Sequence, residues 1–135
     1  MPSADRISSP ICPATSLLII IGPLESSLSS VIRHIVFFSA KAGGSVERIR
    51  DGLAPLTRIP HASHLEITLN RKSDPLSKEI DVVVYGEFEN DAALAAYKAH
   101  ELYAEAIKRV RPLRELRLAA DYDVATSVSC LESGS

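Results

Sequence analysis

The sequence lacks any apolar stretch long enough to cross a bilayer. Its most apolar run, Leu17–Ile21, falls far short of the roughly 20 residues that a spanning helix needs. Arg6 precedes that run, but Asp5 sits where a secretory signal would be basic and no clean small-x-small site follows, so no cleaved leader is expected. Cysteine is scarce. Cys12 and Cys130 lie in opposite tails, match no metal or redox spacing, and exclude a disulfide framework; reduced, incidental thiols fit a cytoplasmic protein. The net charge of -2 gives no bias toward nucleic acid or anionic membrane. A glycine-rich phosphate loop, a nucleophile elbow and a cysteine-nucleophile motif are all missing. Among the histidines His34, His61, His64 and His100, no local pair has ligand spacing, so neither a metal nor another cofactor is expected.

What remains is an ordinary globular composition, 46% hydrophobic and 24% charged over 135 residues, which suits one domain. Residues 1–30 are rich in Ser and Pro and carry only Asp5, Arg6 and Glu25 as charges. They read as a disordered or loosely ordered extension, and residues 126–135 as a tail. The patterned domain is 31–125.

Val31–Ala40 is β-branched and aromatic, as a strand requires. Gly43-Gly44 breaks it, Ser45 can cap a helix, and Val46, Ile49, Leu53 and Leu56 recur at helical spacing. Pro55 should kink or shorten that helix. His64–Asn70 alternates Leu65, Ile67 and Leu69 with polar residues, predicting a half-buried strand. After a polar turn over 71–78, Ile80–Phe88 is a third strand. Asn90 or Asp91 can cap a second helix running to about Val110, with Ala93, Ala96, His100, Tyr103, Ala104, Ile107 and Val110 on one face. Pro112 stops it, and Glu115–Val124 is the fourth strand. The order βαββαβ predicts an α+β fold of ferredoxin-like type.

Both sides of the sheet are apolar in this pattern. Ile32, Val36 and Phe38 oppose Ile35 and Phe37 on the first strand, and Val82 and Val84 oppose Val83 and Tyr85 on the third. Two helices cover one face of four strands. A second copy packing sheet to sheet is the simplest cover for the other, which predicts a homodimer with a dimeric α/β barrel. The alternative is that the tails fold over this face.

The segments RHIVFF, Ile59-Pro60, AAYKAH and AADYDV, in that order, resemble the stress-responsive A/B-barrel (Dabb) family over residues 31–125. That resemblance implies a ferredoxin-like protomer, a homodimer and a pocket between sheet and helices. Most members have no established reaction; one plant member is a cofactor-independent polyketide cyclase. Members often begin Met-Ile-Arg-His, where this sequence reads Val31-Ile32-Arg33-His34. A natural start at Val31, which a GUG codon would allow, is therefore an expectation.

His34 shares its face with Val36 and Phe38, and the resemblance implies that this face lines the pocket. It is either a proton-shuttling imidazole or a buried, hydrogen-bonded core residue. Tyr97 and His100 are three apart and share a helix side. The expected ligand site is His34, Val36, Phe38, Tyr97, His100 and Tyr103, with His34, Tyr97 and His100 as candidate catalytic groups. The resemblance also sets limits. Tyr103 stands where the cyclase has its histidine base, and Gly52 where it has a tyrosine. Glu101 replaces a proline of the family's His-Pro-x-His run, which predicts a more continuous second helix. Same-mechanism polyketide cyclisation is thereby disfavoured, since a phenol titrates near ~10. Lys108, Arg109, Arg111, Arg114 and Arg117 form a basic cluster without a nucleic-acid recognition motif, expected to pair with Glu101, Glu105, Glu115 or a partner subunit, the lesser alternative being an anionic ligand group near the pocket mouth.

Three functions follow as expectations: a homodimer binding a small apolar or aromatic carbonyl compound, a cofactor-independent lyase, cyclase or monooxygenase, and a stress or stability protein whose property is assembly. Nucleic acid and membrane are not expected partners.

Overall fold

Strand β1 (Ile32–Ala40) is the organising element of the computed structural model, which describes residues 30–130. The proposed extension, with Cys12, lies outside the described residues apart from Ser30, as do residues 131–135. Helix α1 (Val46–Leu53) follows, then β2 (His64–Leu69), β3 (Val82–Phe88), helices α2 (Asp91–Ala99) and α3 (Glu101–Val110), and β4 (Arg114–Asp123). The strands form one antiparallel sheet in the order β2-β3-β1-β4. This is the ferredoxin-like α+β arrangement.

Local chemistry sets the boundaries. Ser45 Oγ accepts from the Arg48 amide and starts α1, relieving one of the free amides at a helix start. Pro55 shortens the helix as expected: α1 ends at Leu53 and a 3-10 turn takes over at Ala54–Arg58. Asn90 caps α2 through the Ala93 amide. Gly52 is buried where α1 meets α3; a Cβ there would come within 3.0 Å of Val110 Cγ2. The helices cross too closely at this point for the tyrosine that the family resemblance would put there.

The expected continuous second helix is wrong. It breaks at His100, whose backbone is extended (φ -72°, ψ 145°) and whose Nδ1 accepts from the Leu102 amide. Glu101 then occupies the first position of α3, where an acidic side chain suits the positive helix end. The histidine cap makes the break, so losing the proline does not remove it.

The inner face of the sheet is packed under the helices. Ile49, Val82, Val84, Phe88 and Tyr97 form the centre of this core. Burying apolar groups in this way supplies most of the stabilisation of a small domain. Among the described residues the outer face carries no helix. In register across the strands it presents Thr68, Val83, Phe37 and Leu118 in one row, and Glu66, Tyr85, Ile35 and Ala120 in the next. Phe37 is 38% exposed and Leu118 52%. A polar group closes one end, where Arg33 donates to the Tyr122 hydroxyl (3.2 Å) and the Tyr85 hydroxyl donates to Glu87 (2.6 Å).

Candidate functional site

A cavity of about 310 Å³ opens between the inner sheet face and α3, at the lower end of the range for small-molecule sites. Its floor is the inner side of β1. His34, Val36 and Phe38 line it together because alternate strand residues share a face. Tyr97 of α2 and Tyr103 of α3 form the roof, their rings 5.2 Å apart and edge to face.

His34 is almost fully buried, and its Nδ1 contacts the carboxylate of Asp121. Asp121 stands directly opposite it in the β1–β4 register. A carboxylate accepts and cannot donate when ionised, so this contact assigns a proton to Nδ1; in the neutral ring Nε2 is then the acceptor. The ring is held edge-on by Tyr97 and Phe88, with centroids 6.1 and 6.2 Å away. Gly86, opposite His34 on β3, makes room for this arrangement: a Cβ there would meet Leu65 Cδ1 at 2.7 Å and Phe88 Cε1 at 3.0 Å. Asp121 is partly exposed, with Lys98 Nζ 4.0 Å from its second oxygen. Imidazole, oriented by a carboxylate and facing an apolar space, is suited to moving a proton or holding a carbonyl.

Tyr97 supplies a second polar group. Its hydroxyl makes no hydrogen bond among the described residues, and burial raises its pKa well above the usual phenol range. The neighbouring Tyr103 adds to the rise and Arg117 partly offsets it. The group therefore stays a neutral donor at physiological pH. Tyr97→Phe is expected to weaken binding of a carbonyl ligand by about tenfold, the worth of one hydrogen bond. Thermal unfolding should be unchanged or slightly raised, because no protein partner is left unpaired; a large loss of stability with unchanged affinity would show a structural hydroxyl instead.

Of the six residues expected at the site, five line the cavity: His34, Val36, Phe38, Tyr97 and Tyr103. His100 does not. The helix break turns it away, and its ring lies 6.0 Å from that of His61. Its role as a catalytic group beside His34 is corrected on that geometry. Asp121 is the residue that sequence reasoning missed. Its signal was present, since it is the first aspartate of the AADYDV segment and falls on the inner-face parity of β4. The basic cluster divides as well. All but the half-buried Arg114 are exposed, but Arg111, Arg114 and Arg117 also line the cavity, and Lys108 and Arg109 do not. The expected pairs with Glu101, Glu105 or Glu115 do not form among the described residues.

Fold and cavity together define a ferredoxin-like barrel protomer with a pocket between its sheet and helices. Residues 32–124 match the Stress responsive A/B Barrel Domain, Dabb, and the chain belongs to that family. No curated protein matches the sequence significantly. Solved structures do. A Dabb family protein with a ferredoxin-like fold from Mesorhizobium loti is 28% identical, with a TM-score of 0.57 over 69% of this chain and 95% of its own. A dimeric ferredoxin-like protein of unknown function from Thermobifida fusca is 20% identical, with a TM-score of 0.62 over 71% and 92%. The hydroxynitrile lyase from Passiflora edulis is 16% identical, with a TM-score of 0.60 over 75% and 99%. Among the described residues no helix is long and apolar enough to cross a membrane.

Proposed function

We propose that this chain is a homodimer, joined through the outer sheet face, that binds a small apolar or aromatic carbonyl compound between sheet and helices. The observation that carries the ligand reading is the pairing of His34 with Asp121 at the apolar stretch of the cavity wall formed by Val36, Phe38 and Val84. An apolar pocket with a few convergent polar groups is the usual form of a small-molecule site. His34 Nε2 and the Tyr97 hydroxyl are the groups beside this stretch that would meet a carbonyl. The phenol would donate to the carbonyl oxygen, and the imidazole would sit by the adjacent carbon. The homodimer is supported by the apolar rows on the outer face and by the dimeric relative from Thermobifida fusca.

A second reading is favoured by the same pair: a cofactor-independent lyase in which His34 takes and returns a proton. The carboxylate at Nδ1 would stabilise the imidazolium formed on the way. The likeness to a hydroxynitrile lyase is one of fold, and points in the same direction.

Titration with 4-acetylbiphenyl tests the first reading. Saturable binding is expected, with chemical-shift changes centred on His34, Tyr97 and Tyr103. Absence of binding by this ketone and by a panel of smaller aryl ketones would remove the carbonyl-binding reading. Transfer of deuterium from solvent into the methyl group beside the carbonyl, faster than in buffer, would support the second.

A further inference from the structure

Arg111, Arg114 and Arg117 come from two elements, the residue after α3 and the first half of β4, yet line the same cavity. None lies within 4.0 Å of a carboxylate, and none makes a side-chain hydrogen bond, among the described residues. Guanidinium cannot be deprotonated at physiological pH. Three such charges at one cavity repel one another, and no acid among the described residues lies within 4.0 Å to offset them. The three guanidinium groups are thus not consumed by pairs within the described scaffold; Arg111 and Arg117 are exposed to solvent while lining the cavity.

Their position relative to His34 is set by strand register. Asp121 pairs with His34, and Arg117 pairs with Phe38. The two points are four residues apart along β4, which is about 13 Å at roughly 3.3 Å per residue. Val36 and Val84 lie on the apolar stretch between them. Along the sheet the cavity therefore runs from the His34 imidazole past Val36 and Val84 to the arginines, and Arg117 is near enough to act on the Tyr97 phenol. Arginine's planar fork matches the oxygens of carboxylates and phosphates.

We propose that Arg111, Arg114 and Arg117 form an anion subsite. The ligand is then an elongated apolar or aromatic compound with a carbonyl at one end and a carboxylate or phosphate at the other. This rests on the carbonyl-binding reading and narrows its ligand class.

Three matched probes test it by calorimetry at low salt: 4-acetylbiphenyl, 4'-acetylbiphenyl-4-carboxylate and the corresponding 4'-phosphonate. At least one anionic probe should bind about tenfold or more tightly than the neutral ketone. Which anion gains more tells carboxylate from phosphate. The gain should shrink as salt rises, and should vanish in the Arg114→Gln/Arg117→Gln double variant while affinity for the neutral ketone persists. The neutral ketone also serves as the folding control for that variant. Equal affinity for all three probes overturns the subsite and leaves the carbonyl-binding reading standing. An anionic gain that survives in Arg114→Gln/Arg117→Gln and in Arg111→Gln likewise overturns it. No binding of any probe overturns both.

Discussion

If the proposed homodimer forms through the outer sheet face, Phe37→Arg is expected to give folded monomers at micromolar concentration. Phe37 sits at the middle of the uncovered sheet face, opposite Val83 on one side and Leu118 on the other. Its ring belongs to a sheet layer whose inner side is already closed by helices, so its environment can be completed only from outside. In a two-fold dimer each substitution occurs twice, once on each copy. Truncating a central apolar anchor costs about 2 kcal/mol or more, so two together weaken association by roughly a thousandfold. A buried, unpaired guanidinium adds to that cost. Leu118→Arg should act in the same direction, since it pairs with Phe37 in register. Sedimentation velocity reads the result directly, with circular dichroism to confirm the fold. If the unmodified protein sediments as a monomer, or if both variants remain dimeric, the outer face is not the interface.

Asp121→Asn carries the second large effect, on proton transfer. The aspartate holds His34 through Nδ1. An amide at that position can donate as well as accept, so it no longer enforces the tautomer that leaves Nε2 basic. It also lacks the charge that would stabilise an imidazolium. If the pocket exchanges the methyl protons of 4-acetylbiphenyl with solvent, Asp121→Asn should slow that exchange by about a hundredfold or more. His34→Gln should abolish it. Affinity for the ketone should change much less in Asp121→Asn, because the apolar walls and Tyr97 are untouched. Asp121 is partly exposed, so the variant is expected to fold. Exchange at the unmodified rate in Asp121→Asn would reduce the pair to a structural hydrogen bond.

Most of the architecture was legible because it follows from short-range rules. Period-two alternation identified β2 and β-branched and aromatic content β1, and Ser45 and Asn90 marked helix starts through caps that form locally. Pro55 shortened its helix by the steric rule that predicts it. The two-sided greasiness of β1 and β3 was equally visible, because adjacent strand residues must point apart. His100 shows where such rules fail. Its spacing fitted one continuous helix face, but a side-chain cap competed with the helix and won, and His100 left that face while Tyr103, Ile107 and Val110 kept to it. Glu101 in place of proline seemed to argue for continuity, yet the break did not depend on proline.

The sequence by itself determined the element order, the inner and outer parity of each strand, and hence that His34, Val36 and Phe38 would share one wall. These depend on backbone stereochemistry and on neighbours a few residues away. Only the tertiary structure decided which groups meet at that wall. Asp121 reaches His34 across 87 residues of chain, and the arginines separate from Lys108 and Arg109 only once β4 is laid beside β1. Strand pairing brings distant residues to within ångströms, and a one-residue slip would exchange the inner and outer sets. The identity of the site is therefore a property of register, which no local pattern specifies.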